Sequence, residues 1–403
     1  MSADGAGHEA FRRCVGDTDY FAAHVWATEP QVFRGADENG FADLLSLRDF
    51  DSVVGNGLLR FPAVHIVCDG TKVDPASFTR AGTVGSVCID DLIDTDKVRE
   101  LFSGGATIVL TSMHRYWPPL SRFCAELASV LSHRVQVNTY LTPAGSAGLE
   151  PHYDTHDVFV LQVHGTKRWR VSEGILESPL RHQYRKEDID ESALTRVLEC
   201  ELAPGDNLYI PRGFVHSAET GSEGSLHLTV GILSYTWYDL FKKISETAAE
   251  EPEFRRSLPL GFGNAGKSEL DTTVKEHLVK MANFVLDSDT SQLLDELQAQ
   301  STGKRTSRGG EIASIARLGE LSDNTRVRPV EHLDPIIRWD DDGRVRVEAG
   351  KIILLLPAHA KEAVECLLTE EETMVAYLSL WLDEGGRVAL VRRMIREGLV
   401  VMD

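Results

Sequence analysis

The stretch PGDNLYIPRGFVH at residues 204–216, together with PHYD at residues 151–154, decides how this chain folds. The longer stretch has two turns, PGD and PRG, on either side of the short strand 208–210, and it ends at His216. Turns rich in Pro and Gly are rigid, and they can present a histidine at the mouth of a β-barrel. The alternative to a functional histidine is a hairpin in which His216 has only a structural role.

The chain around these two stretches consists of short β-rich runs that are separated by Gly, Pro and Asp. No long helical pattern interrupts residues 135–235, which favours an antiparallel barrel or sandwich over a parallel sheet. The predicted strands are 135–141, 158–163, 167–171, 207–210 and 226–233.

The predicted metal ligands are His152, Asp154 and His216. Residues at positions i and i+2 of a strand point to the same side, so His152 and Asp154 can face one metal ion. Two His and one carboxylate leave coordination positions open, and this suits a non-haem Fe(II) that binds O₂. His156 is a rival ligand, Asp157 is a rival carboxylate, and the alternative to a metal site is a surface turn of solvated polar groups.

A candidate anion site lies on the predicted strand that begins at Lys167. Lys167, Trp169 and Val171 alternate with Arg168 and Arg170, so the first three share a face. Trp169 and Val171 indicate that this face is interior, and a buried Lys is costly unless it is paired. We therefore expect a bound anion at Lys167, unless the side chain reaches out to solvent.

Polar residues on two further strands predict a hydrophilic inner face. Asn138 and Tyr140 share one face, and Ser225, His227 and Thr229 alternate with apolar residues. Such a face inside a small barrel is what a polar cosubstrate needs, whereas on an open sheet it would face solvent. His227 is another histidine near the site, but the turn context favours His216 as the ligand.

Composition limits the class of protein. A chain of 403 residues predicts two or three domains, and its net charge of -20 argues against sequence-independent nucleic-acid binding while permitting basic partners. Six scattered cysteines disfavour disulfides and a Cys-rich zinc site. We see neither a secretory signal nor an apolar run of about 18 residues, so we expect a cytoplasmic protein without a membrane segment.

The remaining regions are predicted from periodicity. A short helix is expected at 41–47, and amphipathic helices at 238–249 and 274–286 lie before a polar linker at 301–310. A small terminal unit follows. Its predicted elements are a strand pair within 344–357, helices at 360–368, 374–382 and 388–397, and a closing strand at 399–402.

At the residues quoted above, the sequence resembles the JmjC-domain 2-oxoglutarate oxygenases of the ribosomal-oxygenase, cupin-like type. The resemblance rests on HYD at residues 152–154, on Lys167 fifteen residues after His152, on Asn138 and Tyr140 before it, and on SLHLT at residues 225–229. It implies a distorted double-stranded β-helix that binds Fe(II) and O₂ at the predicted ligands.

The resemblance also implies the roles of the pocket residues. Lys167 would pair with the distal carboxylate of 2-oxoglutarate, and Asn138, Tyr140 and Thr229 would line the pocket. The implied reaction converts 2-oxoglutarate to succinate and hydroxylates a C–H bond in a protein or peptide, with a ribosomal protein as one substrate. Other substrates of relatives are histone lysines, which are demethylated, and peptides of natural-product clusters.

The implied order of domains covers most of the chain. It comprises a JmjC catalytic domain at 1–236 with the barrel at about 130–236, a helical dimerisation region at 237–305 and a winged helix at 306–403. A homodimer is expected because amphipathic helices between two self-sufficient units need a partner for their apolar faces. The apolar positions are Trp237, Tyr238, Leu240, Phe241, Ile244, Leu278, Met281, Phe284 and Val285.

Two rival functions remain open at this point. A cupin isomerase or Zn hydrolase would act without 2-oxoglutarate and would leave Lys167 without a role. A non-enzymatic module would grip DNA or a partner with its winged helix. The acidic runs at 340–342 and 370–372 disfavour DNA, although Arg387, Arg392, Arg393 and Arg396 cluster near the last helix.

Overall fold

The computed structural model describes residues 3–37, 39–56, 59–184, 189–264, 266–289, 291, 294, 297, 310–330, 335–340, 342–349 and 352–402. By its internal contacts the chain divides into two compact units, residues 1–234 with 305–403, and residues 235–304. The predicted linker at 301–310 lies outside the described residues, except for Gly310.

Two antiparallel β-sheets form the centre of the first 234 residues. The major sheet has the strand order β1-β12-β9-β14-β7-β6-β2-β3, and the minor sheet has the order β11-β10-β13-β8. A separate hairpin pairs β4 with β5. The strands are β1 (Gln31–Phe33), β2 (Val64–Cys68), β3 (Thr71–Lys72), β4 (Thr79–Val84), β5 (Val87–Ile93), β6 (Thr107–Leu110), β7 (Arg134–Thr142), β8 (His152–Tyr153), β9 (Asp157–His164), β10 (Lys167–Gly174), β11 (Arg196–Leu202), β12 (Asn207–Ile210), β13 (Phe214–Thr220) and β14 (Ser225–Leu233).

The major sheet is buried on both faces. Alternate residues of β9 point to opposite sides, so Phe159 and Leu161 enter a core shared with the N-terminal helices. Val158 and Val160 enter a second core together with Trp169 of the minor sheet. The space between the two sheets is therefore the interior of a barrel, and the prediction of an antiparallel β-domain is confirmed.

Helices cover the outer face of the major sheet. They are α1 (Ala3–Val15), α2 (Thr18–Tyr20), α3 (Leu47–Gly55), α4 (Thr95–Ser103) and α5 (Pro118–Leu131), with a π-helical turn at Phe21–Val25 and short 3₁₀ turns between them.

The helix predicted at residues 41–47 is wrong. Residues 41–44 form turns, and Phe41 has a φ of +57°, which an α-helix does not accommodate. The helix α3 begins only at Leu47, because Ser46 and Asp49 form a capping box at its N-terminus.

The C-terminal residues 310–402 have a core of their own. The strands are β15 (Arg326–Pro329), β16 (Ile336–Trp339), β17 (Val345–Ala349), β18 (Ile352–Leu356), β19 (Thr373–Met374) and β20 (Val400–Met402), and the helices are α8 (Glu311–Ala316), α9 (Lys361–Thr369) and α10 (Glu384–Arg396). They form two three-stranded sheets, β19-β15-β20 and β16-β17-β18. The helix predicted at 374–382 is a 3₁₀ segment at Val375–Leu380.

The smaller unit contains α6 (Trp237–Ala248) and α7 (Lys267–Asp287). A capping box between Thr236 and Asp239 begins α6. Phe254, which follows α6, packs edge-to-face on Phe284 of α7 with a centroid distance of 5.6 Å. None of the helices that the structure describes combines the length and apolar character needed to cross a bilayer.

Candidate active site

The three predicted metal ligands lie together at one end of the barrel. His152 of β8 is the register partner of His216 of β13, which brings their rings to a centroid distance of 4.4 Å. Asp154 follows β8, and its Oδ2 is 3.7 Å from His216 Nε2. One ligand atom from each of the three residues lies within 4.8 Å of the other two.

The turn PRG, quoted at the start, positions this cluster. The backbone N–H of Gly213 donates a hydrogen bond to the carbonyl of Asp154 at 2.9 Å. Gly213 has a φ of +93°, and a Cβ at this position would lie 2.3 Å from the carbonyl oxygen of Leu176. Only Gly fits both the backbone conformation and the close approach, so the turn joins the Asp154 and His216 segments tightly.

Both histidines are oriented by backbone carbonyls. His152 Nδ1 lies 2.8 Å from the carbonyl oxygen of Glu150, and His216 Nδ1 lies 3.1 Å from that of Phe214. A carbonyl only accepts, so each Nδ1 carries the proton and donates it. Each Nε2 is thereby left with a free lone pair, which is the arrangement that metal-binding histidines use.

The charge states at the cluster also suit a cation. Burial and the nearby His152 lower the pKa of His216 to about 4, so this ring is neutral at physiological pH. Burial alone would raise the pKa of Asp154, but the neighbouring His156, His216 and His152 outweigh it and hold the pKa below its ordinary value. Neutral imidazoles and an ionised carboxylate are the forms that bind metal.

The rival ligands are engaged elsewhere. His156 packs against the backbone of β14, where a Cβ on Gly231 would lie 2.6 Å from its ring. Asp157 is buried and accepts hydrogen bonds from Tyr209, Arg212 and Ser234. Neither belongs to the group of possible metal ligands found among the described residues.

Lys167 lies inside the barrel, on the strand β10. Its side chain is 2% exposed, and its Nζ donates to Thr142 Oγ1 at 3.1 Å. Within the described chain no carboxylate lies within ion-pair distance of this ammonium. Burial lowers the pKa of Lys167 to about 7.

One pocket connects Lys167 to the three clustered side chains. Its walls include Tyr140 of β7, His227 and Thr229 of β14, and Trp169 of β10. Asn138 does not line the pocket. Its side-chain oxygen instead accepts a hydrogen bond from the backbone N–H of Ser112 at 3.0 Å.

Comparison with known proteins identifies the β-domain. Residues 110–240 match the model of the JmjC domain. These residues form a JmjC-type domain. The chain is 30% identical over 276 residues to ribosomal oxygenase 1 of Gallus gallus, which covers 65% of this chain and 44% of that protein. It is 27% identical over 318 residues to the bifunctional lysine-specific demethylase and histidyl-hydroxylase NO66 of Culex quinquefasciatus, which covers 74% of this chain and 47% of that one.

Solved structures share the fold. The structure of ycfD from E. coli superimposes with a TM-score of 0.57 at 15% identity and covers 96% of this chain and 98% of that one. A structure of the same ribosomal oxygenase in complex with cobalt and 2-oxoglutarate has a TM-score of 0.53 at 15% identity, with the same coverage. The resemblance predicted from the sequence is confirmed, as is a mainly β, cupin-type domain with added helices. The chain spans less than half the length of the curated relatives named above.

Two residues at or beside this pocket, Thr142 and Leu149, were not singled out from the sequence. Thr142 continues the alternation of Asn138 and Tyr140 along β7, so the period-two rule could have found it. His227, by contrast, is predicted from the sequence on the polar inner face together with Thr229, and both line the pocket. Leu149 lies in the loop before β8 and carries no signal in the sequence.

Proposed function

We propose that this chain is an Fe(II)- and 2-oxoglutarate-dependent oxygenase that hydroxylates a side chain of a protein or peptide. The observation that carries the proposal is the pocket itself, with two histidines and a carboxylate at one end and a buried cation without a carboxylate partner at the other. A ligand with a chelating group and a distal carboxylate matches both ends.

The donor set fits iron. The Nε2 atoms of His152 and His216 and a carboxylate oxygen of Asp154 would hold the ion on one side, leaving the other side for ligands. His216 Nε2 and Asp154 Oδ2 are 3.7 Å apart, so both atoms would be able to contact one ion between them.

The remaining residues bind and orient the cosubstrate. When bound, iron and 2-oxoglutarate would supply the oxidative chemistry with O₂ as the oxidant: one oxygen atom enters a C–H bond, and the other enters succinate as CO₂ is released. Lys167 neutralises the distal carboxylate, and the Tyr140 hydroxyl and Thr229 donate hydrogen bonds to the bound ligand. Val158 and Val160 form the apolar wall that excludes water from the pocket.

We propose a ribosomal protein as the substrate. Two kinds of support exist: the relatives are named ribosomal oxygenases, and the net charge of -20 favours a basic polypeptide. The NO66 relatives are named as demethylases too, so the same site can be tested for removal of a lysine methyl group.

We also propose the division into a JmjC catalytic domain at 1–236, a dimerisation region at 237–305 and a winged helix at 306–403, in a cytoplasmic homodimer. Exposed apolar side chains in the smaller unit support the dimer; they include Trp237, Tyr238, Phe241, Leu258, Leu260, Phe262 and Leu278. Ile244, one of the apolar positions predicted for the dimer, is buried, so it is not part of the proposed interface.

The C-terminal region is not proposed to bind nucleic acid. Of the four arginines near its last helix, Arg387 pairs with Asp323 at 2.7 Å and Arg393 with Glu397 at 2.8 Å. Arginines that are already paired offer less to phosphates.

Conversion of 2-oxoglutarate to succinate tests the proposed activity. The purified protein with Fe(II), ascorbate and 2-oxoglutarate should form succinate, detected by proton NMR, at least slowly without substrate. His152→Ala and His216→Ala should abolish this turnover, whereas His164→Ala, a change at an exposed histidine of β9, should leave it intact. Full turnover in either of the first two variants refutes the metal assignment.

Mass spectrometry tests the substrate. Ribosomal proteins from cells with and without the gene should differ by one oxygen atom on one side chain. Loss of a methyl group with release of formaldehyde would assign demethylation instead.

A further inference from the structure

The pairing of β7 with β14 sets three successive levels beside the pocket, of which Tyr140, His227 and Thr229 line the pocket itself. Thr142 pairs with Ser225, Tyr140 with His227, and Asn138 with Thr229. Lys167 Nζ reaches the level of Thr142, so the cation lies at one end of this ladder. A ligand that reaches from the metal cluster to Lys167 would lie in the pocket that His227 also lines.

The ring of His227 is held rigidly at the middle level. It stacks on Tyr140 with a centroid distance of 4.9 Å and an interplanar angle of 3°. Trp169 meets it edge to face, at 5.4 Å and 87°. A ring fixed on two sides presents its nitrogens in a defined direction, and His227 is 2% exposed.

The Nδ1 atom of His227 is buried and has no hydrogen-bond partner within the described chain. Buried polar atoms in native proteins nearly always have a partner, and leaving one unpaired is destabilising. Burial and the charge of Lys167 hold the pKa of His227 well below its ordinary value, so the ring is neutral and has one N–H to donate. A ligand oxygen would supply the missing partner.

We propose that His227 binds the cosubstrate, donating its Nδ1–H to the carboxylate that pairs with Lys167. This inference rests on the proposed oxygenase function and adds a neutral donor to the charged anchor. It makes His227 a determinant of specificity, because a 2-oxo acid without a distal carboxylate gains nothing from the contact. The alternative is that His227 only supports Tyr140 by stacking.

Two substitutions separate these roles. His227→Phe keeps a flat ring against Tyr140 but has no donor. His227→Asn removes the ring but places an amide nitrogen close to the position of Nδ1. A binding role predicts that Asn retains affinity and Phe loses it, whereas a stacking role predicts the reverse.

Calorimetric titration of Mn(II)-loaded protein with 2-oxoglutarate and with 2-oxobutyrate decides the question, since 2-oxobutyrate lacks the distal carboxylate. Binding of Mn(II), measured by electron paramagnetic resonance, shows that each variant is folded at the metal site. We expect His227→Phe to weaken 2-oxoglutarate binding about tenfold to a hundredfold, with 2-oxobutyrate unchanged. We expect His227→Asn to stay within about fivefold of the parent.

Three results overturn the inference. The first is unchanged 2-oxoglutarate affinity in His227→Phe, and the second is affinity that His227→Phe retains but His227→Asn loses. The third is an equal loss of affinity for 2-oxoglutarate and 2-oxobutyrate in His227→Phe. Failure of the unsubstituted protein to bind 2-oxoglutarate at all would instead overturn the proposed function on which the inference rests.

Discussion

At the scale of one residue, the buried ammonium of Lys167 is an unfavourable interaction that the proposed ligand would relieve. Its ammonium is buried beside Thr142, and the described chain offers it no carboxylate. Such a group destabilises the free protein and becomes favourable only when an anion enters. The same placement therefore destabilises the free protein and would strengthen the binding of an anion.

The first prediction concerns stability. The pKa of Lys167 is about 7 in the folded state and about 10.4 in an unfolded chain, so the unfolded state holds the extra proton between these values. The penalty is therefore fully present at and below pH 7, and it fades as pH rises towards 10. Lys167→Met should raise the free energy of unfolding at pH 7 by about 1–3 kcal/mol, measured by urea denaturation, while 2-oxoglutarate binding is lost. A destabilised Met variant would show that the Lys is satisfied in the free protein.

The second prediction concerns pH. A dicarboxylate favours the protonated Lys167, so binding above pH 7 requires the uptake of a proton. Calorimetry at pH 8 in buffers of different ionisation enthalpy should reveal uptake of close to one proton, and at pH 6 almost none. Lys167→Arg provides the control, because an arginine remains charged throughout and should show no uptake. Equal uptake at both pH values would assign the proton to another group.

At the scale of elements, the turn before β13 positions the proposed metal ligands. Gly213 has a positive φ, and its backbone N–H holds the Asp154 carbonyl. Gly213→Ala should destabilise the protein by more than about 1 kcal/mol and weaken Mn(II) binding, because the new Cβ meets Leu176 O. Gly221→Ala is the matched control, since its Cβ meets open space. The measurement is the Mn(II) affinity of both variants. Equal affinity in Gly213→Ala and Gly221→Ala would mean that the turn does not position the ligands.

The sequence predicted the barrel strands well because alternation and turn residues agree there. The predicted strand 207–210 coincides with β12, and the inward face of Lys167, Trp169 and Val171 is buried as expected. The failed helix at residues 41–47 shows the limit, since an apolar pattern does not reveal that Phe41 takes a left-handed conformation to fill the core.

The site was predictable only in part, for a related reason. Spacing places residues on one face of one strand, which brought Asn138 and Tyr140 together. The contact between Asn138 and Ser112 depends on packing between separate elements, as does the edge-to-face contact of Trp169 with His227. Long-range contacts of this kind leave no local pattern in a single sequence.

At the scale of the whole molecule, the smaller unit exposes an unusual amount of apolar surface. Trp237 is 77% exposed and Phe241 is 57% exposed on α6. Exposed apolar patches of this kind mark interaction sites, and two-fold self-association is the commonest way to cover them.

Light scattering tests the dimer. The intact protein should have twice the mass of the 44.6 kDa chain at micromolar concentration. Phe241→Glu should shift it towards the monomer, because a charge in an apolar interface is costly, whereas Lys242→Glu at the adjacent exposed position should not. A parent protein that is monomeric would refute the dimer, and a dimer that survives Phe241→Glu would place the interface on other residues.

The central claim is that the metal cluster and Lys167 bind the two ends of one ligand. Titration of 2-oxoglutarate into the Mn(II)-loaded protein tests it most directly, with Lys167→Ala compared with Arg168→Ala, an exposed neighbour on the outer face of the strand. We predict that Lys167→Ala loses about 2–5 kcal/mol of binding free energy while Mn(II) stays bound, and that Arg168→Ala binds as the parent does. Unchanged 2-oxoglutarate affinity in Lys167→Ala, or a loss confined to Arg168→Ala, would contradict the account.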